Sequence, residues 1–426
     1  MAMQRLALRG LSARGLAVLA VSSTLLLSAC FFQGPNPTGL SNEIKQFSHA
    51  KTIPVGEGPH GIAYAGGMII NANPRSGSLS LIDPASDTVA ETLDFGKESN
   101  SPTQAQATKD GTYAITMDSK ANVLRVIKGE TKSVVGTVPL GKAPGSKLVW
   151  ADEKTAYLAL GAKAGETAVE PTENVARITW TSGFEAEPTM EKLTVNRAGA
   201  SSFVAGFVAV GGGYLAVPNA NDNSVSFVKL GENTVTTLQE GNAPGPIGIS
   251  TLNDSAILVY GNKNSNTVVV YDLNAKQLLG KFEVSSTPSD MALRADGRYA
   301  YVSCAGSDKV AVVDVGTAKL HSEVSVGRGS STAPRPLHMY MVDKPAAASG
   351  YRVTHEGHDH PSTAQQVWVG GDGDGSVTVL DAETQKAIAV ITVGNGHHKM
   401  AFTATKAYVS NITDNTVSVI DRSAVQ

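Results

Sequence analysis

The sequence lacks the features that mark several common classes of protein. Only two cysteines occur in 426 residues, so a framework of disulfides is excluded. Lysine and arginine total 35 against 38 aspartates and glutamates, and this formal charge of -3 argues against a nucleic-acid partner, which usually needs a basic surface. After the first 30 residues no apolar run is long enough to span a bilayer. Charged residues are only 17% and aromatic residues 6%, beside 42% hydrophobic residues and 43 glycines, which indicates a globular chain rich in turns.

Residues 1–29 have the composition of a targeting segment. Arginines without any acidic residue precede a hydrophobic stretch, which ends in Leu27-Ser28-Ala29-Cys30. This ending resembles the lipobox of bacterial lipoproteins, which implies cleavage before Cys30 and a lipid on its thiol. The alternative is an ordinary secretory signal cut near Ala29. Either interpretation predicts a protein of the periplasm or cell surface, with residues 30–48 as a tether and the lipid on Cys30 as its contact with the membrane.

The rest of the chain is a repeat. Ala407-Tyr408-Val409-Ser410-Asn411 is followed by a second β-branched run, and the same pattern occurs at Ala300-Tyr301-Val302-Ser303-Cys304. Strands of four to six residues, separated by Asn/Gly/Asp turns and recurring about every 42 residues, are typical of propeller blades. Eight units open near the following residues: His60, Pro102, Pro144, Ser201, Pro246, Pro288, Pro336 and His397.

These units predict one all-β domain over residues 49–426, an eight-bladed β-propeller. The last unit runs out after three strands, whereas residues 51–56 precede the first unit and have the form of a fourth strand. Pairing this N-terminal strand with the last blade would close the ring and leave no open edge there. Cys304 takes the repeat position of Asn411, so we expect it to be a small turn residue.

The repeat resembles the YVTN-type bacterial β-propeller family over residues 49–426. The resemblance implies the fold and says little about function, because propellers carry unrelated activities. Function must therefore come from residues that break the repeat.

The largest break lies in the seventh unit. Asp314 and Asp381 are 67 residues apart, whereas Asp272 and Asp314 are 42 apart. The extra segment, at about 342–364, contains three histidines interleaved with acidic residues, a composition typical of metal binding. Neutral imidazole suits zinc, copper, nickel and iron. The alternative is a solvated polar loop whose histidines bind nothing. The three candidate ligands here are His355, His358 and His360.

A second group of histidines stands at the unit openings. His60 opens unit one, His338 unit seven, and His397 and His398 unit eight, whereas the other five openings contain none. The three units are consecutive once the ring closes, and the first strand of a propeller blade lines the central channel. Three adjacent blades thus aim imidazoles at one region of the channel mouth, and zinc needs three or four ligands.

The register of the repeat limits how many of these residues can be ligands. His60 aligns with His398, whereas His338 aligns with Lys399 and Asp290. Adjacent strand positions point to opposite faces, so we expect only some of the histidines to face the channel. Asp290 is a candidate fourth ligand, or an acceptor for the second ring nitrogen of a ligand histidine. The alternative is a set of histidines bonded only to water and backbone.

A propeller with these histidines resembles the periplasmic zinc metallochaperones. The resemblance implies a protein that is not an enzyme, that holds zinc and passes it to the solute-binding protein of an ABC zinc importer. Cys30 departs from that family, whose members are soluble. Three alternatives stay open: a scaffold propeller with incidental histidines, a haem-type cofactor-binding propeller, and a lactonase-like hydrolase. A haem protein would absorb visible light, and the acid-rich metal cluster expected of a lactonase is absent from the sequence.

Overall fold

The computed structural model describes residues 44–161, 173–195, 207–232, 234–329, 334–345 and 365–425. These residues form eight antiparallel sheets of four strands each, one of which gains a fifth strand. The sheets follow one another as the blades of a ring, so the predicted eight-bladed β-propeller is confirmed. No helix within the described ranges is long and apolar enough to cross a membrane.

Each blade runs outward from its first strand. Blade one contains β3 Ile62–Ala65, β4 Met68–Asn73, β5 Ser78–Asp83 and β6 Thr88–Asp94, and blade two contains β7 Pro102–Ala107, β8 Tyr113–Asp118, β9 Val123–Lys128 and β10 Ser133–Pro139. Blade three contains β11 Ala143–Trp150, β12 Thr155–Gly161, β13 Val175–Thr179 and β14 Thr189–Leu193, and blade four contains β15 Ala209–Gly211, β16 Tyr214–Asn219, β17 Ser224–Lys229 and β18 Val235–Leu238. Blade five contains β19 Pro244–Leu252, β20 Ser255–Asn262, β21 Thr267–Asp272 and β22 Gln277–Glu283, and blade six contains β23 Pro288–Leu293, β24 Tyr299–Cys304, β25 Lys309–Asp314 and β26 Lys319–Ser325. Blade seven contains β27 Pro336–Asp343, β28 Gln365–Gly371, β29 Ser376–Asp381 and β30 Lys386–Thr392, and blade eight contains β31 His397–Phe402, β32 Lys406–Asn411 and β33 Thr416–Asp421. Two short 3-10 helices occur at Ala220–Asp222 and Arg422–Val425.

The core lies between the blades. The second and third strands of a blade are buried almost throughout, as β4 and β5 are, whereas outer strands such as β6 are mostly exposed. Among the described residues, apolar side chains form eight clusters, and each cluster joins two consecutive blades. A sheet covered on both faces favours continuous β-branched runs, which explains why the middle strands read as Val-, Ile- and Leu-rich segments.

The repeated residues have structural roles that explain the motif. The Tyr408 hydroxyl donates to Asp87 Oδ1 of the next blade at 2.6 Å. Asn411 donates its side-chain N–H to Ser418 Oγ at 2.9 Å and so ties its own blade together. Cys304, at the position of Asn411, is fully buried, and burial raises the pKa of its thiol to about 12. It is therefore an inert small residue.

The ring closes as predicted. β2 (Lys51–Pro54) pairs antiparallel with β33 and completes the last blade. A further strand, β1 (Lys45–Ser48), pairs in parallel with β30 as the fifth strand of blade seven, although the sequence assigned these residues to the tether. β27 extends to Asp343, so the first two residues of the predicted insertion belong to a strand.

Candidate metal centre at the channel mouth

The inner strands of blades seven, eight and one begin at one end of the channel, where three histidines lie. His338 is the third residue of β27, His398 is the second residue of β31, and His60 comes two residues before β3. β27 contacts β31, and β31 contacts β3. Ring closure thus places the three histidines on neighbouring strands.

The three imidazoles are in contact, with His398 in the middle. The ring centroids of His60 and His398 are 3.7 Å apart, and those of His338 and His398 are 4.3 Å apart. The Nε2 atoms of His338 and His398 are separated by 3.3 Å. Among the described residues, Nδ1 of His398 is buried without a hydrogen-bond partner.

β-bulges explain how residues in different registers of the repeat meet. The pairing of β31 with β32 shifts between His397 and Met400, and the pairing of β27 with β28 shifts between Pro336 and His338. A bulge leaves an extra residue unpaired and re-aims its side chain. The alternation used in the sequence analysis therefore does not apply at these openings.

His338 also contacts two charged residues. Its Nδ1 lies 3.6 Å from Asp290 Oδ2 and 3.1 Å from Lys399 Nζ. The backbone N–H of Met339 donates to Asp290 Oδ2 at 3.1 Å and holds the carboxylate in place. The side chains of His338 and Asp290 are only 17% and 15% exposed, so this group is largely shielded from water.

Sequence reasoning missed two residues of this cluster, Lys399 and Gln104. The side-chain nitrogen of Gln104 lies 3.4 Å from Nδ1 of His60. Gln104 is the third residue of β7, Asp290 the third residue of β23 and Lys399 the third residue of β31, as His338 is in β27. Comparing this one position across all units would have found both residues.

The structure does not bring His397 into the cluster. Its side chain is 1% exposed and packs between blades eight and seven, against the backbone of Gly370 in β28. A Cβ at Gly370 would overlap Nε2 of His397, which explains the glycine. Among the described residues, Nδ1 of His397 has no hydrogen-bond partner. His397 therefore belongs to the contact between two blades.

Burial keeps the imidazoles neutral. Burial, followed by the charge of Lys399, lowers the pKa of His60 to about 4 and also lowers the pKa of His338. Burial lowers the pKa of His398 far below its usual value and that of His397 to about 3. Neutral imidazole is the form that binds metal, so these rings are ready to act as ligands at neutral pH.

The two charged neighbours keep their charges at neutral pH. Burial acts to raise the pKa of Asp290, but the hydrogen bond with His338 and the charge of Lys399 outweigh it and lower the pKa to about 2. Burial lowers the pKa of Lys399 to about 8. A carboxylate and an ammonium therefore face the same ring nitrogen of His338.

The cluster matches part of a zinc site. Two nitrogens bound to one ion at about 2.0–2.1 Å in tetrahedral geometry lie about 3.3 Å apart, which is the separation of the His338 and His398 Nε2 atoms. The rings of His60 and His398 lie face to face, with their planes tilted by 36°. Within the described ranges, no set of three or more His, Cys, Asp or Glu side chains is arranged to hold a metal ion. The geometry thus offers two nitrogens at ligand spacing, and His60 would have to turn to supply a third.

The insertion histidines His355, His358 and His360 lie outside the described residues, as does Cys30, and their roles stay predictions. The residues that flank the insertion are described: Asp343 pairs with Gln365 at the end of blade seven. Asp343 comes five residues after His338 on the same strand, which corresponds to about 17 Å. The described residues on either side of the insertion therefore lie at the opposite end of β27 from the cluster.

Comparisons with known proteins support the fold. The chain is similar to the dihydro-haem d1 dehydrogenase NirN in complex with DHE, with a TM-score of 0.54 and 14% identity over 85% of this chain and 69% of that one. It is also similar to hydrazine synthase of Kuenenia stuttgartiensis, with a TM-score of 0.50 and 14% identity over 87% of this chain and 96% of that one. Similarity at this level of identity shows the propeller fold alone. No protein-family model matches the chain, and no curated protein matches it by sequence.

Proposed function

We propose that the protein is an extracytoplasmic zinc-binding propeller that holds zinc at the channel mouth and passes it to a zinc-uptake partner. The observation that carries this proposal is the contact of His60, His338 and His398, three imidazoles kept neutral by burial. Imidazole nitrogens are common zinc ligands, and a site with three protein ligands keeps a position open. An open position suits a cargo that must be handed on.

Asp290 and Lys399 would control whether His338 can bind zinc. When Lys399 donates to Nδ1 of His338, the proton of the neutral ring is on Nε2, which can then donate to Nε2 of His398 at 3.3 Å. Zinc binding at Nε2 requires the other tautomer, with the proton on Nδ1. Asp290 Oδ2 can accept that proton in a hydrogen bond, as carboxylates do beside zinc-bound histidines. Zinc loading would thus replace the hydrogen bond that Nδ1 of His338 accepts from Lys399 with one that Nδ1 donates to Asp290.

The charge of Lys399 fits temporary holding. An ammonium beside a divalent cation raises the energy of the loaded state, since like charges repel more strongly in a shielded site than in water. Asp290 acts in the opposite direction. The balance of these two residues would set an affinity that a partner can overcome. We propose the solute-binding protein of an ABC zinc importer as that partner.

The location of the protein is part of the proposal. The segment Leu27–Cys30 supports a lipid anchor outside the cytoplasm, in the periplasm or at the cell surface. Changing Cys30→Ala should leave the protein unprocessed or soluble, so that it no longer partitions into detergent. If wild-type protein stays in the aqueous phase after phase separation, the anchor is wrong.

Zinc titration of the metal-free protein tests the function. The triple variant His60→Ala, His338→Ala and His398→Ala should lose tight binding, measured by calorimetry, and keep the propeller fold, measured by circular dichroism. His321→Ala is the matched control, because His321 lies on the outer strand β26, away from the channel, where its ring contacts Tyr299. Unchanged zinc affinity and stoichiometry in the triple variant would show that the site is elsewhere, or that the propeller is a scaffold with incidental histidines.

A further inference from the structure

The channel contains a cavity beyond the histidines. Residues from the inner segments of all eight blades line a volume of about 600 Å³. Much of the lining is apolar and includes Met291, Met339, Met400 and Phe402. Binding sites for small molecules usually measure about 300–1,000 Å³ and combine an apolar lining with a few polar groups. The cavity has the size and the lining of such a site.

The charged groups of this cavity are unbalanced. Among the described residues, its charged lining consists of Lys147, Lys399 and a single carboxylate, Asp290. Asp290 is already engaged, because it accepts from the backbone N–H of Met339 and lies beside His338. Within the described residues, the ammonium group of Lys147 makes no hydrogen bond or ion pair, and that of Lys399 donates only to the neutral ring of His338. One positive charge is left without a partner.

The two ammonium groups act on the same space. Lys147, Lys399 and Asp290 line the same cavity, so a bound molecule would meet all three charges together. Lys399 is only partly exposed, so its charge is incompletely solvated and a bound ion of opposite sign would relieve that cost. Lys147 is exposed and adds a second positive charge to the same space. With two ammoniums and one carboxylate, a single negative charge restores neutrality.

We propose that the cavity binds a small organic carboxylate with an apolar body. Its carboxylate would lie between Lys147 and Lys399, and its body would pack against the methionines and Phe402. A monoanion fits better than a doubly charged phosphate, because it balances the charge of the cavity. The anion site shares Lys399 with the histidine cluster. Among the described residues Lys147 has no contact with that cluster, so variants of Lys147 test the anion site apart from zinc binding.

A fluorescent anion and three competitors of equal length test the proposal. Anilinonaphthalene sulfonate, a monoanion on an aromatic body, is titrated into the metal-free protein and then displaced with octanoate, octanol or octylamine. Octanoate should displace the probe at concentrations at least tenfold lower than the other two. Equal displacement by octanol would mean that only apolar contact matters, and it would overturn the proposal.

Variants of Lys147 assign the binding to this cavity. Lys147 is exposed, so changing it should preserve the fold, which thermal melting checks. Lys147→Met should weaken octanoate about tenfold, and Lys147→Glu should reverse the preference towards octylamine. Lys319→Met, an exposed change on outer strand β26, is the control and should behave as wild type. If Lys147→Glu keeps the wild-type preference, the anion site is not here. Zinc affinity should be nearly unchanged in Lys147→Met, so failure of this proposal is distinguishable from failure of the zinc site.

Discussion

Replacing Lys399 by methionine should strengthen zinc binding. Lys399 Nζ lies 3.1 Å from Nδ1 of His338, and zinc on Nε2 of the same ring would stand about 7 Å from the ammonium, given the size of the ring and a metal–nitrogen distance of about 2.0–2.1 Å. A single and a double positive charge at that separation repel by about 1 kcal/mol at the dielectric constant of water and by about 5 kcal/mol at an effective value of 20. Even the lower figure corresponds to roughly a fivefold gain in affinity.

The opposite change of charge gives the matched comparison. Asp290→Asn removes the carboxylate that would accept from Nδ1 of His338, and losing such a partner typically lowers metal affinity about 10–100-fold. Both variants are titrated at pH 7 against a chromophoric zinc chelator, with Lys319→Met as the control for a change of charge on the outer surface. If Lys399→Met binds zinc no more tightly than wild type while both melt at the same temperature, the exchange of Lys399 for Asp290 on His338 is refuted.

Three further predictions concern the ring, the pH response and the insertion. Deleting residues 49–56 removes β2 and exposes the edge of β33, so this truncation should lower the melting temperature or cause aggregation. Deleting residues 31–40 should leave the melting temperature unchanged. Equal melting temperatures of the two truncations would argue against closure of the ring by β2. The free energy of unfolding of the metal-free protein should decrease as the pH falls from 6.5 towards 4. His60 and His397 bind protons below about pH 6.5 in the unfolded chain, whereas burial lowers their pKa to about 4 and about 3 in the folded chain. Equal urea midpoints at pH 7 and pH 5 would contradict this. Changing His355, His358 and His360 to alanine should leave tight zinc binding unchanged in calorimetry and slow zinc transfer to a partner in stopped-flow measurements. Loss of tight binding in this variant would refute the assignment of holding to the channel and transfer to the insertion.

The fold was predictable because several blades repeat the same chemistry. Asn411 has counterparts in Asn73, Asn219 and Asn262, and each of these donates its side-chain N–H to the third strand of its own blade. The closing strand was also predictable, since a last unit with three strands needs a fourth. β1 was not, because Lys45–Ser48 pairs with the edge of blade seven and has no counterpart in other blades. A segment that occurs once leaves no periodic signal.

The meeting of three histidines was predictable in outline only. Their positions at the openings of consecutive units follow from the repeat, but the bulges that aim His338 and His398 at each other depend on the pairing of whole strands. The exclusion of His397 depends on a residue of another blade, Gly370, which leaves room for the ring. Sequence spacing contains neither fact. Lys399, by contrast, stands at the repeat position of Asp290 and His338, so comparison of that position alone points to it.

The two kinds of histidine show why this propeller can vary its chemistry without losing its fold. His397 fills space between two blades, where side chains must fit their neighbours, and the glycine opposite it, Gly370, leaves room for the ring. His60, His338 and His398 stand at the channel mouth, outside the apolar clusters that join the blades. Burial of their neutral rings has a free-energy cost, and so has burial of the His398 Nδ1 atom, which lacks a hydrogen-bond partner among the described residues. Ligand binding would account for that cost at the three histidines of the channel mouth, whereas packing between blades accounts for His397.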